Sequence, residues 1–183
     1  MSPSPEGDVR LAAAGPQDLP ALRTLIFDDG VNIWNYLPED GIGEHLEDIA
    51  LGRAFGVLAL EQGQLIGAVT FGLSTDFDDY LPPQARGTPQ GYVSEAVVRR
   101  DRVGQGWGTR LLRHALAELS KLGADVVFID RHEENLASAG MMRAAGFVEI
   151  ETYADPRRRP HGSGRTTVCW KVLNPAALPA ASA

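Results

Sequence analysis

At 183 residues, with 44% hydrophobic and 22% charged side chains, the chain has the size and balance of one globular domain. A formal charge of −7 argues against the non-specific nucleic-acid binding that runs on surplus Lys and Arg. The single cysteine, Cys169, excludes an internal disulfide framework and a four-thiolate zinc site, and four histidines without ligand spacing predict no metal centre. The opening MSPSPEGD has neither a basic cluster nor an apolar run, and no window approaches the roughly 18 consecutive apolar residues of a membrane span. These features predict a cytoplasmic protein with no membrane or nucleic-acid partner.

Residues 1–8 and the Pro- and Ala-rich 174–183 are expected to be disordered ends, leaving one domain over 9–173. Val9 to Ala13 reads as a short strand. Gly15-Pro16-Gln17-Asp18 then opens a helix with Leu19, Leu22, Ile26 and Phe27 on one face. A second helix begins near Glu39 and runs to Leu51, with Ile42, Leu46, Ile49 and Ala50 as its apolar side. Phe55 to Leu60 and Leu65 to Leu73 flank Glu61-Gln62-Gly63-Gln64 as a hairpin. Ser74 to Pro89 is a polar loop of a length that is usually functional or mobile. Gly91 to Val98 is the next strand. The strongest helix runs from Gly106 to Leu122, with Trp107, Leu111, Leu112, Ala115, Leu116 and Leu119 as its stripe and Gly123 as its stop. A strand over Asp125 to Ile129, a helix over Asn135 to Ala145 and strands over Phe147 to Tyr153 and Thr166 to Leu173 complete the order. Hairpins mixed with βα crossovers predict an α/β (α+β) chain with a mixed sheet and helices on both faces.

Charge is unevenly placed. From Arg99 to Arg113 five arginines face one acid, Asp101, so a basic island lies within an acidic protein and suits a small anionic ligand. The same stretch reads Val97-Val98-Arg99-Arg100-Asp101-Arg102-Val103-Gly104-Gln105-Gly106-Trp107-Gly108-Thr109-Arg110: a strand, a basic turn, then closely spaced glycines entering a helix. Glycines let successive N–H groups point into one concavity, and the helix start adds partial positive charge, which together suit a pyrophosphate. Arg110 and Arg113 oppose the helix dipole, a conflict that a bound anion would relieve. The competing reading is a tightly packed helix start with solvated arginines. A dinucleotide fold is disfavoured, because the spacing is Gly-x-Gly-x-Gly and four charged residues separate strand from loop.

This run resembles the coenzyme A signature of the GNAT acyltransferase superfamily, Gln/Arg-x-x-Gly-x-Gly/Ala, with Gly106 and Gly108 at the two small positions and Val103 where Gln or Arg is usual. Downstream, Asn135-Leu136-Ala137-Ser138-Ala139-Gly140-Met141-Met142-Arg143-Ala144-Ala145-Gly146-Phe147 is similar to that family's Asn-x-x-Ala-x-x-Leu-Tyr-x-x-x-Gly-Phe segment, with Ser138 replacing Ala and Met142 replacing Tyr. The resemblance implies a mostly antiparallel central sheet of about seven strands. It implies acetyl-CoA as co-substrate, with no metal, and transfer of an acetyl or acyl group to a primary amine of a small molecule or peptide by direct attack in a ternary complex. The pyrophosphate would rest on amides from Gly104 through Gln105, Gly106, Trp107 and Gly108 to Thr109. Val97 and Val98 would pair with the pantetheine arm, which Asn135 could also reach, and Val103, Ser138 and Met142 complete the coenzyme-side set. A homodimer, common in the family, is a further expectation.

The proton chemistry is read from the residues. Met142 stands where many relatives place a proton-donating Tyr, and a thioether cannot donate. A chain that binds acyl-CoA without efficient transfer, as a sensor or partner-binding module, is therefore the alternative reading. Glu95 is the candidate general base, or else a carboxylate that only pairs with a nearby Arg or backbone amide, in a strand where Val93 and Val97 are expected on its own face and Tyr92 and Ser94 on the other. Thioester chemistry near Val98 would draw on a backbone N–H as oxyanion donor. His132 with Glu133 could form a second relay or simply a solvated helix entry. Asp76, Asp78, Asp79 and Tyr80, with Asp28, Asp29, Glu39 and Asp40, would form an acidic rim attracting a cationic amine, or merely solvated surface. Arg157-Arg158-Arg159 could instead bind an acceptor anion, or form a hairpin tip or dimer contact.

Overall fold

Seven strands and four helices make up the computed structural model, which describes residues 8–178. In chain order these are β1 (Val9–Ala13), α1 (Leu19–Asp29), α2 (Glu39–Ala50), β2 (Ala54–Glu61), β3 (Gln64–Ser74), β4 (Gln90–Val98), α3 (Trp107–Lys121), β5 (Val126–His132), α4 (Leu136–Ala144), β6 (Val148–Ala154) and β7 (Arg165–Val172). One sheet carries all seven in the order β1-β2-β3-β4-β5-β7-β6. Every neighbouring pair is antiparallel except β4 and β5, which the α3 crossover makes parallel. The sheet class, the strand number and the helix order match the sequence reading.

Alternation within the strands sends side chains to two cores. On one face Val57, Ala59, Val69, Phe71, Val127 and Ile129 pack under the α3 stripe of Leu111, Leu112, Ala115 and Leu119. On the other, Leu58, Ala68 and Val97 meet Leu22 and Ile26 of α1 and Ile42, Leu46 and Ile49 of α2. The rest of that second face, Val126, Phe128 and Val168, is covered by the connection between β3 and β4. That polar loop is therefore pinned: Phe77 stacks on Phe128 with ring centroids 4.4 Å apart, and Leu81 and Ala85 are buried beside it. Asn174 to Leu178, expected with the frayed end, instead fold back, with a 3-10 turn at Pro175–Ala177 and Leu178 packed on this third group. The remainder of the expected ends, 1–7 and 179–183, lies outside the described residues.

Two irregularities in β4 shape the functional region. The register against β3 shifts so that Thr70 opposes Glu95 and Phe71 opposes Val93, which leaves Ser94 as an extra residue without an opposite number. The bulge moves Val93 and Val97 to opposite faces, Val93 packing with α3 and Val97 with α1 and α2. The expectation that they share the face of Glu95 is thus corrected: Glu95 sits with Val97 and with Tyr92, three residues upstream. Secondly, β4 pairs with β5 only at Gly91↔Val127 and Tyr92↔Phe128. Close packing concentrates there, since a Cβ on Gly91 would lie 2.9 Å from both Leu119 Cδ1 and Val127 Cγ2. Beyond Tyr92 the two strands part.

Candidate active site

The parting of β4 and β5 leaves one edge of β4 without a strand partner and opens a groove of about 560 Å³ beside it. Unpaired backbone groups on such an edge are available to an extended ligand. Val97, Val98, Val103, Gly104, Gly106, Trp107, Gly108, Thr109, Asn135 and Ser138 all line the groove. Gln105 is exposed at the turn and forms no part of the wall. Met142 is buried one layer away, against Val127, Ile129 and Phe147, and lines the neighbouring cavity.

The glycines fall into two kinds. Gly104 and Gly106 have φ of 83° and 81°, a backbone that side chains rarely adopt, and open space lies where a Cβ would stand. Between them and the first helical turn, none of the N–H groups from Gly104 to Thr109 finds a backbone acceptor; the ladder starts with Arg110 N–H donating to Gly106 O at 3.1 Å. Six successive unpaired donors at a helix N-terminus form a nest for an anion. Gly108 instead gives room, since a Cβ there would lie 2.4 Å from Met141 Sδ, where α3 crosses α4.

The arginines of this island have protein partners, which changes the reading of the dipole conflict. Arg113 Nη2 donates to Ala144 O at 2.7 Å, capping the C-terminal end of α4, and the Arg110 guanidinium lies 4.2 Å from the Trp107 ring centroid. Arg99 pairs with Asp101 at 2.5 Å and Arg102 with Glu61. The concavity's positive character therefore rests on backbone donors. Asn135 caps α4, its Oδ1 accepting from Ser138 N–H at 3.1 Å, and Gly146 ends that helix region at φ 92°, both as the sequence predicts.

A second cavity, of about 350 Å³, shares Asn35, Ala96, Ser138 and Met141 with the groove, so the two meet at the β4–β5 gap. Glu95 lines it with Tyr36, His45, Tyr92, Asp130, Arg158 and Arg159. Burial, reinforced by the charge of Asp130 and opposed by Arg158 and Arg159, pushes the Glu95 carboxyl up to about 8. His45, which the sequence reading passed over as part of an amphipathic helix, holds Thr70 Oγ1 with Nε2 at 2.8 Å, and burial lowers its pKa.

The back wall is an ion network. Asp130 accepts from Tyr92 Oη at 3.0 Å, Arg158 Nη2 at 3.0 Å and Arg159 Nη2 at 2.6 Å. Arg159 also donates to Thr166 Oγ1 at 2.9 Å, and that hydroxyl donates to Asp155 at 2.8 Å. The Arg157-Arg158-Arg159 segment thus turns two of its three guanidiniums inward. Burial and Asp130 hold the Tyr92 phenol well above its ordinary range. Asp130→Asn would leave two guanidiniums facing a neutral amide, and is expected to lower stability by about 3 kcal/mol in urea unfolding. Because Asp130 raises the Glu95 pKa, the same change should move the Glu95 titration to lower pH in carboxyl-carbon NMR. An unmoved titration would show that the two carboxyls do not communicate.

His132 forms no relay with Glu133. Its Nδ1 accepts from Glu134 N–H at 3.0 Å and its Nε2 reaches His161 O at 2.8 Å, which fixes a neutral Nε2–H tautomer beneath Trp34. Glu133 pairs with Arg165 at 3.5 Å. The acidic rim also divides. Asp78 accepts from Gly87 N–H and Gln90 Nε2, Asp29 accepts from Arg100 N–H, and Glu39 pairs with Arg23. Asp76 and Asp79 remain on a third cavity with Tyr80, Glu151 and Tyr153 that adjoins the second at Tyr92, Asp130 and Arg158. Among the described residues no cluster of three or more His, Cys, Asp or Glu is placed to hold a metal ion.

With this geometry in hand, comparison with known proteins identifies the class. The acetyltransferase (GNAT) family matches residues 19–147, and the chain belongs to that family. Solved structures agree in fold. Arabidopsis thaliana NAA60, in complex with a bisubstrate analogue, superposes with a TM-score of 0.71 at 14% identity, over 90% of this chain and 98% of that one. A Bacillus subtilis acetyltransferase in complex with CoA gives 0.67 at 16% identity, over 91% and 99%. The ribosomal-protein-alanine N-acetyltransferase of Brucella melitensis gives 0.69 at 21%, over 90% and 99%. No curated protein matches the chain.

Proposed function

We propose that this protein transfers an acetyl group from acetyl-CoA to a primary amine of a small molecule or peptide by direct attack in a ternary complex. The observation that carries the reading is the run of unpaired N–H donors from Gly104 to Thr109, opening on a groove that meets a carboxyl-lined cavity at Ala96, Ser138 and Met141. The donors fit a pyrophosphate, and the free β4 edge at Val97 and Val98 fits the amides of a pantetheine arm. Asn135 and Ser138 flank that arm, while Val103 and Trp107 close the outer wall. One fold relative is named for acetylation of a ribosomal-protein alanine, which makes a peptide amine one acceptor of the right kind.

Each residue has a defined task in this reaction. An amine arrives protonated, and Glu95, with its pKa held near 8, takes one proton to give the free nucleophile. The nucleophile attacks the thioester carbonyl, whose developing oxyanion is met by a backbone N–H near Val98. The C–S bond then breaks. The attacking nitrogen, cationic after addition, gives its surplus proton to water. The thiolate, whose thiol has a pKa of about 8.5, leaves with little assistance and takes a proton back from water, consistent with the buried thioether of Met142.

Thermal unfolding with acetyl-CoA, and with NADH as control, tests the coenzyme site. Acetyl-CoA at about 100 times its Kd should add roughly 2.7 kcal/mol of stability and NADH none. No shift with acetyl-CoA, or a shift with NADH, would overturn the assignment. The absence of a proton donor at Met142 favours one second reading, an acyl-CoA-binding module. Coenzyme binding without turnover across a broad amine panel would select it.

A further inference from the structure

His45 reaches into the sheet from α2 and lines the acceptor cavity. Thr70 is fully buried, and its hydroxyl has a single partner, His45 Nε2, at 2.8 Å. If Nε2 carried the ring proton, the Thr70 hydroxyl proton would point at no acceptor, a buried unsatisfied donor that costs about 1–3 kcal/mol. The favoured arrangement has Thr70 donating to Nε2, and the histidine proton then sits on Nδ1. Nδ1 makes no hydrogen bond to the protein and is not sealed in the interior, while the ring lines the cavity that holds Glu95. The ring that lines the acceptor space therefore carries a neutral N–H donor with no partner in the protein.

Its position relative to the carboxyl is set by the sheet. Thr70 and Glu95 oppose one another across β3 and β4, and directly opposed side chains leave the same face about 5 Å apart. The ring that rests on Thr70 is thus a close neighbour of the Glu95 carboxyl. Burial lowers the His45 pKa against the opposing charge of Asp48 on its own helix, so the ring stays neutral. Tyr36, Tyr92 and Glu95, with Asp130, Arg158 and Arg159, line the same cavity, as do Asn35, Ser94, Arg131 and Ser138. A neutral donor beside an ammonium-binding carboxyl recognises an oxygen, and the two must be close together on the ligand. In an α-aminoacyl group the amine nitrogen and the carbonyl oxygen are separated by two intervening carbons, about 3 Å apart through space.

We propose that His45 is an acceptor-recognition residue, donating from Nδ1 to the carbonyl oxygen adjacent to the reacting amine, and that the substrate class is an α-aminoacyl compound, either an amino-acid amide or the first residue of a peptide. This rests on the transferase reading above. Simple alkylamines occupy the Glu95 end alone and lose the second contact.

Two measurements decide it. Nitrogen NMR of the His45 ring in the free protein should show the Nδ1–H tautomer; an Nε2–H tautomer overturns the proposal, whatever the protein catalyses. Kinetics then compare alaninamide and a tripeptide with an alkylamine of alaninamide's size, in wild type and in His45→Leu. The ratio of kcat/KM for alaninamide over alkylamine should fall roughly tenfold in the variant, the value of one lost hydrogen bond. Comparing a ratio between two proteins cancels the difference in amine basicity. A merely structural histidine would lower both substrates alike, and an unchanged ratio overturns the assignment. Tripeptide turnover above that of alaninamide identifies a peptide as the source of the group, and the reverse identifies the free amide. Turnover of none of the three counts against the transferase reading, while the tautomer still decides the role of the ring.

Discussion

Gly106→Val is expected to weaken coenzyme A binding at least about a hundredfold while the protein still folds and melts only a few degrees lower. The two effects have separate causes. Gly106 has φ of 81°, and placing a β-branched residue there costs roughly 1–2 kcal/mol of backbone strain. No atom lies within 4 Å of the added Cβ, so the fold presents no clash. The open space is the mouth of the nest, however, and the two new methyl groups would stand among the N–H donors from Gly104 to Thr109. Calorimetry with coenzyme A reads the affinity and circular dichroism the melt. Gly52→Val is the matched control, because Gly52 has φ of 71°, is equally open and lies off the groove. It should lose similar stability and keep full affinity. Unchanged affinity in Gly106→Val, or an equal loss in the control, would remove the glycine loop from the coenzyme site.

The legibility of this site in the sequence follows the range of the interactions that build it. A strand end, a basic turn, Gly104, Gly106 and a helix lie within about twenty residues, and backbone conformation there is decided locally. Asn135 as a cap and Gly146 as a stop are equally local. The cavity around Glu95 is assembled from a distance. Asp130 is held by Arg158 and Arg159, 28 and 29 positions away, and Arg159 reaches the carbonyl of Trp34 across 125. One signal was present: Val126 to Ile129 is an apolar run followed by an acid, Asp130, and a carboxylate closing a buried strand needs a cationic partner. The triple arginine before β7 is the supply that the fold brings to it.

The bulge at Ser94 was invisible for another reason. Neither glycine nor proline marks it, and one extra residue in β4 is defined only against the register of β3. Read by simple alternation, Glu95 shares a face with Val93 and looks away from Tyr92. With the bulge, Tyr92, Glu95 and Asp130 converge on one cavity. His45 was masked similarly, since the Ile42, Leu46 and Ile49 stripe makes its helix look like core packing alone.

Glu95→Gln is expected to lower kcat/KM about a hundredfold or more, and to make the protein more stable at the pH where the wild type works best. With an alkylamine acceptor whose own pKa lies above about 9, wild-type kcat/KM should rise with pH through about 8 as the carboxyl ionises. The glutamine variant cannot ionise and should lack that limb. Stability runs the opposite way. The native carboxyl titrates near 8 against an ordinary 4.5, so between these values the folded protein holds a proton that the unfolded chain has released. Wild-type stability therefore falls as pH rises across that window, and below it the effect vanishes. Glutamine fills the same volume without the penalty of a buried charge. At pH 8 the variant should be more stable by about 2 kcal/mol, less than the full shift implies because the cavity admits water, and the difference should close on descending to pH 5. Chemical denaturation at the two pH values measures it. A variant that is inactive yet no more stable at pH 8 would mean that Glu95 is already ionised and solvated in the native cavity. A variant with an intact acid limb would assign the base to another group.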